Sequence, residues 1–377
     1  MRSRVQTILM LPLLFAAACV EPYYPPSENG STVGYLVVDG FLDGVKGTGT
    51  VKLTRSVILT DYRPSAPELD AVVTVEDENG GSFSLKEGLN GYYTADLNFD
   101  PASNYRLHVK TQDGSSYTSD YIQLKQSPAF DSLVWRAEDR GIRFYVNSHD
   151  DLGKTRYYRY RYEETWEYRV AFVSHYKSVG GQPVPRKENE MVTYCWDSRT
   201  SAPVLIKSTT NLTKDIVSMF PINFVDKGSR KLAITYSFLV EQRAISEDEY
   251  HFWDLIHKTN ESLGGLFDPI PSQVFGNMHN DGDPNNPVLG YFSGGYTKQK
   301  RVFINFEDLP KDLQTLDPLS YTCGISDYTV NGDQELGSQI FVEVHVPYTN
   351  LWFVTSANCG DCTSLGGATT KPNFWPQ

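Results

Sequence analysis

The 377-residue sequence is short of basic charge, with 34 Lys and Arg against 46 Asp and Glu and a net charge of -12. An acidic body repels phosphate backbones, and no basic stripe offsets it, which argues against nucleic acid as a partner. Beyond the N-terminus no apolar run is long enough to cross a bilayer as a helix. The motifs of common chemistry are missing as well. There is no glycine-rich phosphate loop and no His-Glu-x-x-His, and Ser293-Gly294-Gly295 lacks the glycine two positions before the serine that a nucleophile elbow needs. The histidines (His108, His149, His175, His251, His257, His279 and His345) are scattered. His251 and His257 are six apart, which places them on different sides of a helix. The sequence thus offers no catalytic residue, no metal site and no cofactor site. Asp281-Gly282-Asp283-Pro284-Asn285 alternates oxygen ligands as calcium loops do, but lacks the EF-hand glycine and closing glutamate. Such an Asp/Asn/Gly/Pro cluster reads first as a plain turn, with calcium as the alternative.

The N-terminus is the most informative segment. Arg2 and Arg4 precede an apolar run from Ile8 to Ala18 that ends in Ala16-Ala17-Ala18 directly before Cys19. This is the layout of a secretory signal (residues 1–18), too short for a membrane span. A cysteine at the junction resembles a bacterial lipobox, although Ala16 stands where such boxes most often carry Leu. Cys19 is therefore the expected lipidation site, attaching the chain to outer-membrane lipid at about 0.8 kcal/mol per buried CH₂. Residues 19–32, rich in Pro, Gly and Ser, suit an extended tether. Glu21 favours the cell surface over the periplasmic face.

With Cys19 assigned to lipid, an even set remains: Cys195, Cys323, Cys359 and Cys362. In an oxidising envelope four thiols suit two disulfides with three possible connectivities. The Cys359-Gly360-Asp361-Cys362 spacing leaves zinc open as an alternative, and a thioredoxin-like redox role has no βαβ pattern around it.

Tyrosine is abundant (24 residues), and Tyr, Thr and Val suit half-buried strands. Short strand-like runs with Asp-Gly and Asn-Gly turns recur from Gly34 to Leu124, including Tyr35–Val38 before the expected Asp39-Gly40 turn. They predict an N-terminal Ig-like or transthyretin-like β-sandwich over residues 33–125. Asp100-Pro101 followed by Asn104-Tyr105 fits either the corner entering a late strand or a loop. After a boundary at Lys125–Pro128, residues 129–377 read as a second, fibronectin III-like β-sandwich with a helical insertion and a loop-rich, disulfide-stapled C-terminus. In the run 156–162, Tyr158, Tyr160 and Tyr162 share one strand face and Arg159 and Arg161 the other. These faces read as core and solvent, or alternatively as a stacking surface. Residues 166–228 read as irregular, with a loop at 180–185. One helix is expected near 247–259, with Ser246 as cap, Glu249 completing a capping box, Tyr250, Trp253 and Ile256 on one face, and Leu263-Gly264-Gly265 as its stop. A hairpin or strand pair is expected around Ser293-Gly294-Gly295, and loops after Lys311.

Several segments together resemble a known family: Leu36–Gly40 with Val51–Arg55, Thr193–Trp196, Ser246–Tyr250, Gly265–Pro269 leading into Gly276-Asn277, Gly290–Ser293 with Arg301, and Lys371–Trp375. Their order resembles the Bacteroidetes lipoproteins grouped as the domain of unknown function 4249 family. That resemblance implies an outer-membrane lipoprotein beside a TonB-dependent receptor, with structural cysteines at 195, 323, 359 and 362 and no catalytic residues to carry over. The expectation is a non-enzymatic accessory or ligand-capture protein. The alternatives are a structural or adhesive surface protein, and a hydrolase whose site is dispersed in sequence. A ligand site, if present, is expected near Trp166, Trp196, Trp253, Trp352 and Trp375, although the same residues suit ordinary cores.

Overall fold

The computed structural model describes residues 34–57, 64–261, 274–315, 322–330, 336–345, 349 and 351–376. Residues 1–33, which include the signal segment, Cys19 and the tether, lie outside the described residues, as do Leu263-Gly264-Gly265 and the Gly265–Pro269 motif. The chain is mainly β, with one large curled sheet and several smaller ones.

Alternating apolar and polar residues build the large sheet. Its first strands are β1 (Leu36–Asp43), β2 (Thr48–Arg55), β3 (Val72–Asp77), β4 (Ser82–Glu87), β5 (Tyr92–Asp96), β6 (Asn104–Lys110), β7 (Ser116–Ser119), β8 (Ile122–Gln123) and β9 (Lys125–Gln126). The expected turn at Asp39-Gly40 is instead the middle of β1. Gly40 is small because a Cβ there would lie 2.7 Å from the Phe292 ring, a close approach that accounts for glycine in a strand. The turn falls after Asp43, whose Oδ1 accepts the N–H groups of Val45 and Lys46. The corner before β6 does form. The Tyr105 hydroxyl donates to the Asp100 carbonyl at 3.2 Å and accepts the Asp100 N–H at 2.7 Å.

The next strands are β10 (Phe130–Glu138), β11 (Gly141–Asp150), β12 (Tyr157–Arg169), β13 (Tyr176–Val179), β14 (Gln182–Pro185), β15 (Tyr194–Thr200), β16 (Leu205–Ser208), β17 (Asp215–Asp226) and β18 (Thr235–Ala244), followed by helix α1 (Glu247–Glu261). Residues 166–228 are therefore not irregular. Strand β12 extends to Arg169, Gly180-Gly181 turn the β13–β14 hairpin, and β15 to β17 follow. β15 is polar and β17, although apolar-rich, is broken by Pro221, so neither run alone announces a strand whose partner is far away. Sheet β10-β11-β17 packs against the sheet containing β15, β12 and β18, with Phe144 stacked on Phe238 at 4.1 Å and Tyr160 against Phe220 at 5.3 Å. Tyr158 and Tyr160 lie in this core as their alternation predicts. The opposite face is only partly solvated: Arg161 is exposed, but Arg159 lies 3.4 Å from the Trp253 ring centroid of α1.

After α1 come β19 (Met278–Asn280), β20 (Leu289–Tyr296) and β21 (Lys298–Asn305). The expected pair around Ser293–Gly295 exists as two strands that do not pair with each other. β20 runs parallel to β1, whereas β21 pairs with β18, so the chain changes sheet at Thr297. β19 adds to β7 at the other end of the large sheet. The first core is accordingly completed by Met278, Val288 and Phe292, from beyond the 33–125 span.

The two ends of the large sheet approach each other at a seam. Asn277 closes it, its side-chain amide donating to the Phe292 carbonyl at 2.8 Å and accepting the Phe292 N–H at 2.9 Å. A Cβ on Gly276 would lie 1.6 Å from the Gly290 carbonyl oxygen, and Gly290 has φ +94. Only glycine at 276 lets the seam close. The C-terminal part, expected to be loop-rich, carries a further sheet of β22 (Ser326–Thr329), β23 (Gln339–His345) and β24 (Leu351–Ser356).

Candidate functional site

Helix α1 starts where β18 ends. The Glu249 N–H donates to Ser246 Oγ at 3.0 Å, so Ser246 caps the helix. The reciprocal half of the expected capping box is replaced. Glu249 turns inward to 4% exposure and accepts the Trp253 indole N–H at 3.2 Å. The helix docks on two bodies at once, Phe252 against Tyr291 of β20 and Tyr250 against Tyr157 of β12, both at 5.0 Å between ring centroids. The expected stripe of Tyr250, Trp253 and Ile256 is thus only part of the packing, and Phe252 is the buried anchor.

Two arginines lie at this junction. Arg159 and Arg243 are cross-strand partners, and Arg243 sits 4.2 Å from the Phe41 ring centroid of β1. Burial lowers the pKa of both. No carboxylate among the described residues ion-pairs with either, and Glu249 is the acid whose field acts most strongly on both. Two aromatic faces partly offset this buried charge, at about 0.5–2 kcal/mol per cation–π contact.

A cleft of about 420 Å³ opens beside α1. One wall is the 120–125 segment, another is α1, and the floor is Ala244 to Ser246 with Tyr291, Ser293 and Gly294. Val274 to Asn277 close one end, so the seam borders the cleft. Three large apolar side chains stand exposed on its rim: Tyr121 (47%), Leu255 (36%) and Phe275 (57%). Asp120, Asp248 and Glu249 contribute carboxylates, with Lys125 as the lysine of the lining. Asp120 also contacts His279 at 2.9 Å. Burial, with Glu249 and Asp248 nearby, pushes the Tyr291 phenol up to about 12. A volume of this size with an aromatic rim and a few polar groups is typical of small-molecule sites.

The tryptophans do not gather at one site. Trp166 is in the second core, and Trp352 packs on Tyr176 at 4.8 Å. Trp375 lies edge-on to Phe303 and donates to Glu167 at 3.3 Å. Trp196 lines a second cleft of about 440 Å³ with Met191, Tyr194 and Thr369. Sequence reading missed Tyr121, Leu255 and Phe275. The one local signal was the apolar Tyr121 and Ile122 side by side, which breaks the alternation after Tyr117.

The four cysteines pair as Cys195–Cys362 and Cys323–Cys359. Cys359 and Cys362 therefore belong to different bridges, and no zinc site remains for these thiols. The first bridge fixes the C-terminal tail beside the second cleft, and Trp196 and Ala368 exchange backbone hydrogen bonds next to it at 2.8 and 2.9 Å.

Elsewhere, His108 Nε2 lies 2.9 Å from Ser116 Oγ, which is 2.7 Å from Asp281. Asp281 only accepts, so Ser116 donates to it and His108 donates to Ser116. This is the reverse of the polarity a nucleophilic serine needs. Asp281, Thr118 and Ser116 form a polar ladder across β7, and the Asp281–Asn285 segment is a turn. Among the described residues no cluster of His, Cys, Asp and Glu could hold a metal ion. No helix among them is long and apolar enough to cross a membrane.

The sequence profile of the domain of unknown function DUF4249 matches residues 20–301. The chain belongs to the DUF4249 family. In DUF4249 terms, the matched span holds the large sheet, the seam, α1 and the lining of the first cleft. It ends inside β21, so Cys323, Cys359 and Cys362 lie beyond the matched DUF4249 span. No curated protein matches the chain.

Proposed function

We propose that this protein is a lipid-anchored envelope protein that captures a ligand in the cleft beside α1 and presents it to an outer-membrane transporter of the TonB-dependent class. The observation that carries the reading is the cleft itself. It is open, bordered by both β bodies and the helix between them, and rimmed by exposed aromatic and aliphatic side chains. Isolated exposed apolar residues need no explanation, but three converging on one concavity favour a binding surface. Cys19 after its signal-like segment supports the anchor, and the tether at 19–32 leaves the folded body free to reach a neighbour in the same membrane. The resemblance to outer-membrane lipoproteins supports the location, and Glu21 close behind Cys19 supports exposure at the cell surface. In fold terms, the large sheet serves as an Ig-like or transthyretin-like module and the facing sheets as a fibronectin III-like one.

The test has two parts. The chain labelled with an alkynyl fatty acid carries label, and Cys19→Ser abolishes it. Gentle detergent extraction then co-purifies an outer-membrane receptor with the wild-type chain. Repeated recovery of the chain alone, with labelling intact, rejects the transporter role and leaves the anchor standing.

A further inference from the structure

The second cleft, beside the C-terminal tail, holds hydrogen-bonding groups that the fold leaves unmet. Thr193 is buried and Trp196 half-buried, and both line the cleft. Thr193 Oγ1 and Trp196 Nε1 are shielded from bulk water and find no hydrogen-bond partner among the described residues. Such groups are rare in a folded core and costly to leave unpaired, so they call for a partner from outside the chain. We infer that this cleft of about 440 Å³ is a second ligand site, separate from the cleft beside α1, and that it takes a neutral sugar.

The lining narrows the class. An indole N–H can only donate and a threonine hydroxyl can donate too, so the ligand supplies oxygen acceptors. A pure hydrocarbon would leave both groups unmet. Arg169 and Glu188 are the charged residues of the lining, one of each sign; both are exposed, and neither ion-pairs with a described residue. A charged ligand gains from one and loses to the other, whereas hydroxyls donate to Glu188 and accept from Arg169. Tyr194, 46% exposed, and Trp196 are two apart in β15, which puts their rings on one strand face. That face suits the C–H side of a pyranose.

An extended peptide is the competing occupant, and the strand edge excludes it. The Val170 N–H donates to the Thr193 carbonyl at 3.1 Å, so Val192, Tyr194 and Trp196 turn their peptide groups away from β12. The tail already takes the first and the third. The Cys362 N–H donates to the Val192 carbonyl at 2.9 Å, and Ala368 bonds Trp196 in both directions. Between them Tyr194 alone is left, too little edge for a guest strand. The same contacts set the walls before a ligand arrives. The Phe172 N–H donates to the Cys359 carbonyl at 2.9 Å, and the Cys195–Cys362 bridge ties β15 to the tail. A site fixed in this way loses little freedom on binding.

The full-length chain, in a detergent without a sugar head group, is titrated calorimetrically with maltotriose, cellotriose, mannotriose, galactotriose and xylotriose. Trigalacturonate and trialanine amide serve as the acidic and peptide controls. At least one neutral trimer binds, and both controls bind about tenfold more weakly or not at all. Tyr194→Ala, at an exposed position, lowers affinity about tenfold with the melting temperature unchanged. Thr193→Val fills the same space without the hydroxyl. It lowers affinity about fivefold while the melting temperature holds or rises, because an unmet buried group has been removed. Trp196→Phe keeps a ring, loses the N–H and weakens binding by a similar factor. No binding by any neutral trimer, tighter binding of either control, or unchanged affinity in both Thr193→Val and Trp196→Phe overturns the sugar assignment.

Discussion

Replacing Asn277 with Ala removes the two hydrogen bonds that close the large sheet. Asn277 is 6% exposed and Phe292 is fully buried, so the Phe292 N–H and carbonyl lose their partners in a mostly dry place. An orphaned buried polar group costs about 1–3 kcal/mol, which gives about 2–6 kcal/mol for the pair. Water entering from the adjoining cleft would satisfy one group and bring the loss toward the lower end. Asn277→Asp is the sharper variant. It keeps an acceptor for the Phe292 N–H but sets an oxygen against the Phe292 carbonyl, so at neutral pH it costs at least as much as Ala. Urea unfolding followed by near-UV circular dichroism gives the stability change. Hydrogen exchange at Phe292 shows whether the loss is local to β20. A change under about 0.5 kcal/mol for Asn277→Ala, with Phe292 still protected, would refute the role of Asn277 as the closing element.

Three further outcomes follow from the geometry. The Cys195–Cys362 bridge spans 167 residues and Cys323–Cys359 spans 36, so chain-entropy reasoning gives about 5 and about 4 kcal/mol at most. Serine pairs at each bridge should lower the denaturation midpoint in that order, and the reverse order would show that strain or residual structure dominates. Glu249→Gln leaves Arg159 and Arg243 buried without their strongest acidic neighbour and should destabilise by more than about 1 kcal/mol. Arg243→Met should be neutral or stabilising, because an apolar replacement removes an unpaired buried charge. Equal losses for the two variants in thermal melts would contradict that balance. Burial raises the phenol pKa of Tyr158, Tyr160 and Tyr236, and takes Tyr291 to about 12. Their stabilising contribution is whole below the ordinary tyrosine value near 10 and is lost as pH rises through the raised values. Tyrosinate absorbance should therefore show a late group that appears together with loss of near-UV dichroism. A smooth titration near pH 10 with tertiary structure intact would disprove the burial effect.

The β character, the corner at Tyr105, the helix capped by Ser246 and the buried Tyr158 and Tyr160 were all legible in the sequence, because each rests on spacing or on a local hydrogen bond. What escaped depends on partners distant in the chain. Asp39-Gly40 looks like a turn until Phe292 arrives to explain the missing side chain. Arg159 looks solvated until Trp253 covers it. β15 has the composition of a loop and β17 is apolar-rich but broken by Pro221; both become strands because β12 and β11 are there to pair with them. The cleft was invisible for the same reason, since Tyr121, Leu255 and Phe275 are more than a hundred residues apart at the extremes. Cys19 was the clearest signal of all, and it lies outside the described residues.

The parallel pairing of β20 with β1 sets an order of events during synthesis. A chain emerges from its N-terminus, and β1 is complete at Asp43 while its neighbour begins only at Leu289. For most of that interval one edge of the first sheet is a bare row of peptide groups, the kind of edge that recruits other chains. Asn277 cannot close the seam until Phe292 has followed it. Long-range closure of this sort folds slowly, so the large sheet is finished late although its strands come first. A chain stopped before residue 289 would have ten of the eleven strands of its sheet and an open side, and its fate would be aggregation or proteolysis rather than a smaller stable domain.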